Sequence, residues 1–205
     1  MASDAGHGGE PSVSRVYLVR HGRATGGWDD EVDPALDEVG IAQADALVSR
    51  LGGIGPLPIV TSPMLRTQLT VRPLAEHWGV TPTVVPDVTE IPSPLGVPFG
   101  QRVPWLRAAS AGTWRELGQR YTDYRDQVAA YVASLRTDTV VVSHYIAINA
   151  VIGKVIGDDR VVIASLDNCS VTVLDITVLD VAGARDGRTR VDVIEIGSQA
   201  DTLFR

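Results

Sequence analysis

The chain alternates short apolar runs with segments in which apolar residues recur every three or four positions, and this alternation restricts the fold more than any other feature. The apolar runs predict strands, at residues 15–19, 58–61, 83–85 and 139–142. The periodic segments predict helices, at residues 38–51, 64–78, 114–135 and 145–156. Strands that alternate with helices form βαβ units, whose strands are parallel and whose helices cover both faces of the sheet. We therefore expect an α/β three-layer sandwich around a mostly parallel central sheet.

The rest of the pattern adds detail to this sandwich. Residues 170–178 and 190–196 predict two further strands, joined through residues 183–187 as an antiparallel hairpin at the sheet edge near the C-terminus. Ser62 and Pro63 are typical of a helix start, with Ser62 as the cap, and Pro73 should kink that helix or break it in two. Prolines interrupt residues 86–112, which predicts a long irregular segment, and whether residues 91–113 form a lid is left open.

Length, charge and cysteine content exclude several classes of protein. The 205 residues fit one domain, expected over residues 15–205, after a disordered tail of residues 1–14 that is rich in small and polar residues. A net charge of −7 argues against a nucleic-acid partner. Cys169 is the single cysteine, and neither a signal peptide nor an apolar stretch long enough to span a membrane is present in the sequence. The expected location is the cytoplasm, without a membrane partner.

Three of the predicted strands lead directly into cationic or titratable residues. Arg20 and His21 follow the first strand, Arg66 lies one turn into the helix after the second, and His144 follows the fourth. The carboxyl ends of parallel strands share one edge of the sheet, where ligands bind, and helix N-termini at that edge favour anions. Arginine can hold two phosphate oxygens at once. The sequence therefore predicts a compact cationic phosphate pocket in an acidic protein.

These motifs resemble the histidine phosphatase superfamily, also called phosphoglycerate mutase-like proteins. The matching segments, in the family's order, are residues 19–22, 36–40 with 43–44, 61–67, 89–91 and 142–144. The resemblance implies that His21 is the nucleophile that accepts the phosphoryl group and that Glu90 donates a proton to the leaving group. It also implies that His144 acts in catalysis and shares the phosphate oxygens with Arg20 and Arg66. We expect His144 to be protonated in this role.

For several side chains near the pocket, the sequence is consistent with two roles. Tyr145 stands where the family often has glycine, so that it either narrows the pocket or points elsewhere. Asp87 is the alternative to Glu90 as the acid. Arg23 is a candidate for binding the substrate by extending the cationic pocket beside His21. Arg102 and Arg107 are candidates for contacting the rest of the substrate, with a solvated loop position as the alternative.

The chemistry of these residues favours a phosphomonoester hydrolase that acts on a small phosphorylated metabolite through a phosphohistidine intermediate. It requires no metal ion and no other cofactor, because two arginines and a histidine can meet the phosphate charge. The alternatives are a phosphoglycerate-type mutase, which the short chain disfavours, and a non-catalytic protein that binds phosphorylated ligands. The sequence leaves the substrate and the oligomeric state open, with a homodimer as one alternative.

Overall fold

A central sheet of six strands organises the protein. The structure is a computed structural model that describes residues 12–27, 31–179 and 188–199. The strands are β1 (Ser12–Arg20), β2 (Ile59–Thr61), β3 (Thr83–Val84), β4 (Thr139–Ser143), β5 (Val171–Leu179) and β6 (Arg188–Glu195). Their order is β3-β2-β4-β1-β5-β6, and β3, β2, β4 and β1 pair in parallel, whereas β5 pairs antiparallel with both β1 and β6. The predicted sheet is confirmed, and the predicted connection at residues 183–187 lies outside the described residues.

Helices cover both faces of this sheet. They are α1 (Glu38–Leu51), α2 (Leu65–Trp78), α3 (Arg102–Ser110), α4 (Trp114–Leu117), α5 (Gln119–Ala133) and α6 (Tyr145–Ile156). Successive strand residues point to opposite faces. Val140 accordingly joins the apolar cluster with α1 and α2, and Val141 joins the cluster with α5 and α6. The two separate clusters confirm the predicted three-layer sandwich.

Two predictions in the middle of the chain are wrong. The helix predicted over residues 114–135 is divided at Gly118, whose φ of 90° is a conformation that favours glycine. A reciprocal capping box between Thr113 and Glu116 begins its first part, α4. Residues 102–110 form α3 instead of continuing an irregular segment, because Pro104 lies in the first turn, where a missing backbone N–H costs no intrahelical hydrogen bond.

Helix α2 and strand β1 also differ from the prediction. Helix α2 is continuous through Pro73, with Val71 and Leu74 buried on either side of it, so the predicted break is wrong. Strand β1 begins at Ser12, because residues 12–14 pair with β5; the predicted disordered tail is therefore wrong for these three residues. Residues 1–11 of that tail lie outside the described residues.

The sheet register brings the strand ends of interest together. Arg20 of β1 is aligned with Ser143 of β4, and Thr61 of β2 is aligned with Val142. The residues that follow these strands therefore start from one edge of the sheet. Within the described part of the chain, no helix is both long enough and apolar enough to cross a membrane.

Candidate active site

The carboxyl edge of the parallel strands opens into a cavity of about 630 Å³. Its lining includes Arg20 and His21 from the end of β1, Arg66 from the first turn of α2, Glu90 and Tyr145. The sequence predicted that Arg20, His21, Arg66 and His144 converge from three separate strand ends. The structure brings these residues together because β4 lies between β1 and β2.

The hydrogen bonds of His21 leave one ring nitrogen as an acceptor. Nδ1–H donates to the carbonyl oxygen of Gly22 at 2.8 Å, so Nε2 carries the lone pair, and Nε of Arg66 donates towards it at 3.3 Å. Burial lowers the pKa of His21 well below its ordinary value, and the nearby charges of Arg66 and Arg20 add to this effect. The imidazole is therefore neutral at physiological pH, which is the form that a nitrogen nucleophile needs.

His144 lies fully buried behind His21, with the two ring centroids 5.3 Å apart. Nη2 of Arg66 donates to its Nδ1 at 3.2 Å, so the proton is on Nε2, which donates to Oγ of Ser62 at 2.8 Å. Burial, followed by the charge of Arg66, lowers the pKa of His144 well below its ordinary value. His144 is thus neutral in this structure. The protonated form expected for binding phosphate oxygens stays a prediction.

The two arginines are held differently. Arg66 is only 6% exposed and bridges the two histidines. Arg20 donates from Nη1 to the carbonyl oxygen of Leu166 at 2.6 Å, and its guanidinium carbon lies 4.9 Å from the centre of the Tyr145 ring. Its buried Nε–H has no hydrogen-bond acceptor among the described residues. Tyr145 therefore lies against the cavity and narrows it, which resolves the two interpretations of this residue.

Glu90 has the environment of a proton donor. Its Oε1 accepts a hydrogen bond from the backbone N–H of Ile91 at 2.9 Å, and its Oε2 lies 3.5 Å from the backbone nitrogen of Ile146 at the start of α6. Burial raises its pKa, against the opposing effects of Ile91, Arg66, Ile146 and Arg20. A larger fraction of this carboxyl is thus protonated near neutral pH than of an ordinary glutamate. Asp87, the alternative acid, is hydrogen-bonded to Gln127 and does not line the cavity.

Comparison with known proteins shows what these residues resemble. Residues 16–94 match the family model of the histidine phosphatase superfamily, branch 1. The chain is similar to this superfamily over that segment. A 90-residue segment is 36% identical to the PE-PGRS family protein PE_PGRS11 of Mycobacterium tuberculosis (strain ATCC 25618 / H37Rv), covering 41% of this chain and 15% of that protein. An 83-residue segment is 34% identical to the probable phosphoglycerate mutase GpmB of Yersinia pestis (strain Pestoides F), covering 38% of each, so the match spans well under two thirds of either relative.

Solved structures resemble this chain over most of its length. A mycobacterial glucosyl-3-phosphoglycerate phosphatase in complex with inorganic phosphate has a TM-score of 0.62 and 25% identity, and the match covers 88% of this chain and 96% of that one. Phosphoserine phosphatase of Entamoeba histolytica in complex with 3-phosphoglyceric acid has a TM-score of 0.66 and 17% identity, with 93% and 99% covered. The fold predicted from the motifs is confirmed, and the family model supports the resemblance over residues 16–94.

The three arginines suggested as contacts for the rest of the substrate differ in position. Arg23 lines the cavity, but its Nε lies 2.5 Å from Oδ2 of Asp37 in an ion pair. Arg102, the first residue of α3, also lines the cavity, as does Leu106 one turn later. Arg107 is exposed and outside the lining, because the next residue on a helix is turned by about 100°. This position favours the solvated interpretation of Arg107 over contact with the substrate.

Sequence reasoning missed three polar side chains that position the backbone beside His21 or the ring of His144. Asn168 donates from Nδ2 to the carbonyl oxygen of His21 at 2.9 Å, and Oγ1 of Thr70 accepts from the backbone N–H of Gly22 at 2.9 Å. Ser62, predicted as a helix cap, lies outside α2, and its Oγ accepts from the backbone N–H of Met64 at 3.3 Å as well as from Nε2 of His144. No sequence signal distinguishes these residues from loop and helix residues that bind only their own backbone.

The loop after β1 packs against the start of α1 through two glycines. A Cβ atom on Gly40 would lie 2.0 Å from the carbonyl oxygen of Arg23, and one on Gly22 would lie 2.7 Å from the carbonyl oxygen of Gly40. Real Cβ atoms do not approach the backbone this closely, so both positions require glycine. This close packing holds the backbone beside His21.

Proposed function

We propose that the protein is a phosphomonoester hydrolase that transfers a phosphoryl group from a small phosphorylated metabolite to Nε2 of His21 and then to water. The observation that carries this proposal is the state of His21: a neutral imidazole with an unprotonated Nε2, beside Arg66, in a cavity that also holds Arg20 and Glu90. The phosphatases among its structural neighbours support a hydrolase.

The first step makes a phosphorus–nitrogen bond and breaks a phosphorus–oxygen bond. The N–H groups of Arg66, which bind the two imidazoles in this structure, turn to the phosphate oxygens, and the lone pair of His21 Nε2 is freed for in-line attack. The Glu90 carboxyl gives its proton to the departing ester oxygen. The products of this step are the alcohol, phosphohistidine and a Glu90 carboxylate.

The second step returns the enzyme to its starting state. The Glu90 carboxylate takes a proton from water as the water oxygen attacks phosphorus, and the electron pair of the breaking bond returns to Nε2. Inorganic phosphate leaves. A phosphate dianion in the cavity opposes the effect of Arg66 on His144, so His144 gains a proton more easily while phosphate is bound.

Phosphate release from a panel of alkyl phosphomonoesters, in the presence of EDTA, tests this proposal. We expect release by the native protein and by His77→Ala, a control that alters an exposed histidine of α2, and a loss of at least about 1,000-fold in His21→Ala. Acid-labile, alkali-stable label from a radioactive substrate should appear on the native protein and on His77→Ala, but not on His21→Ala. Equal activity of His21→Ala would refute the phosphohistidine mechanism, and dependence on added metal would refute the metal-independent form.

Glu90→Gln separates proton donation from phosphate binding. We expect a loss of about 10²–10⁴-fold on alkyl phosphates, and a much smaller loss on p-nitrophenyl phosphate, because its leaving group is stable without a proton. Equal losses on both substrates would remove Glu90 from the role of acid. Transfer of the phosphoryl group to a second metabolite, in place of release to water, would favour the mutase alternative.

A further inference from the structure

The cavity lining carries charged side chains that the proposed function does not use, and these side chains would face the part of the substrate other than its phosphate. Among the described residues, the lining carries four arginines and four carboxylates. The proposed function assigns Arg20 and Arg66 to the phosphate and Glu90 to proton donation. The five remaining charged groups are Arg23, Arg102, Glu31, Asp37 and Asp167. Their formal charges sum to one net negative charge, and we call the part of the lining that carries them the outer cavity.

The cation of Arg23 is neutralised within the protein. Its Nε is paired with Oδ2 of Asp37, and Oδ1 of the same carboxylate accepts a hydrogen bond from the backbone N–H of Gly40 at 2.7 Å. This arrangement fixes the ion pair at the start of α1. The outer cavity therefore presents Arg102 together with two carboxylates, Glu31 and Asp167.

Uncharged polar groups and apolar side chains complete the walls. Gln43 accepts from the backbone N–H of Arg23 at 2.9 Å through its carbonyl oxygen, so its amide N–H groups are separate from that bond. Asn168 uses its amide nitrogen on His21, and its carbonyl oxygen is a separate acceptor. Ile91 and Leu106 add apolar surface. Hydroxyl groups can donate to carboxylates and accept from amides, while the C–H faces of a carbon chain pack on apolar side chains.

We propose that the outer cavity binds an uncharged, hydroxylated group, so that the preferred substrates are monophosphates of neutral sugars or polyols rather than phosphorylated acids or bisphosphates. This inference rests on the proposed function, which fixes the phosphate end of the substrate. A second anionic group would enter beside Glu31 and Asp167, and like charges brought together in an interface are repelled.

Two pairs of substrates, each differing only by CH₂OH against carboxylate, test the inference: glycerol 3-phosphate with 3-phosphoglycerate, and glucitol 6-phosphate with 6-phosphogluconate. We expect kcat/KM to be at least about tenfold higher for the polyol of each pair. Asp167→Asn and Glu31→Gln should each lower this ratio by about threefold or more. Asp45→Asn, which changes the net charge equally at an exposed position of α1 outside the cavity, should leave the ratio unchanged.

Binding of the same four compounds to His21→Ala, measured by calorimetry, separates this inference from the proposed function. Tighter binding of the polyol phosphates supports the inference even if no compound is hydrolysed. Equal or tighter binding of the phosphorylated acids, or equal or faster hydrolysis of them by the native protein, overturns the inference and leaves the hydrolase intact. Phosphate release that does not depend on His21 overturns the proposed function instead.

Discussion

The buried hydrogen bond from His144 to Ser62 provides a quantitative test of how the inner half of the site is held. Both side chains are completely buried, and Ser62 Oγ accepts the Nε2–H of His144 at 2.8 Å. Ser62→Ala leaves that N–H without its acceptor, and a buried donor without a partner costs about 1–3 kcal/mol. We expect the free energy of unfolding to fall by about 2 kcal/mol, which lowers the Tm of a chain of this length by roughly 4–8 °C.

Urea unfolding gives this difference directly, and ¹⁵N NMR of the imidazole reports the tautomer. Ser143→Ala is a matched control, because it removes another buried hydroxyl, one that donates to the carbonyl oxygen of Val88 at 2.7 Å. Both variants should lose stability, but only Ser62→Ala should shift the ring-nitrogen resonances of His144. If Ser62→Ala unfolds within about 0.5 kcal/mol of the native protein and the resonances do not move, the reasoning is refuted.

Two further predictions concern acid stability and backbone packing. Since burial holds the pKa of His21 and of His144 well below 6.5, the unfolded chain binds protons that the folded chain does not as pH falls through 6.5. The free energy of unfolding should therefore decrease, as the pH falls below 6.5, by up to about 1.4 kcal/mol per pH unit for each histidine. Glu90 partly offsets this decrease, because its raised pKa favours the folded state in acid. Urea unfolding between pH 8 and pH 5 measures the slope. Gly40→Ala should cost about 1–3 kcal/mol or more in the same assay, because its methyl group meets the carbonyl oxygen of Arg23.

Each of these predictions has an internal control. His77→Gln, at an exposed histidine, should keep the native pH slope. Gly53→Ala should be nearly neutral, because no heavy atom lies within 4 Å of the added Cβ. Stability that is flat between pH 6.5 and 5, or a Gly40→Ala protein as stable as Gly53→Ala, would show that burial or backbone packing has been misjudged.

Local sequence patterns predicted the elements whose boundaries depend on local chemistry. Helix α1 has the predicted bounds, with Asp37 capping its start, and α6 has them because its almost continuous apolar sequence is buried from Tyr145 to Gly153. The pattern failed at Gly118, since apolar spacing continues through a residue whose backbone leaves the helix. It failed at α3 as well, since prolines in sequence do not reveal that one of them lies in a first turn.

The site divides in the same way. Arg20, His21, Arg66 and His144 could be predicted because each follows a strand whose end the apolar pattern marks. The roles of Ser62 and Asn168 could not, because each depends on a partner more than 80 residues away in sequence. The ionisation of His144 also depends on tertiary structure, since burial lowers its pKa.

The strand order has a consequence for how the protein is made. Strands β1 and β2 are both synthesised early, yet they do not pair with each other, because β4 occupies the place between them. A nascent chain released before Thr139 therefore has neither a continuous parallel sheet nor His144. Closing the long loop that joins Arg20 to Ser143 is an entropically costly and slow event in folding. Catalytic activity should thus appear only after β4 has been made, and an N-terminal fragment that ends before Thr139 should lack it.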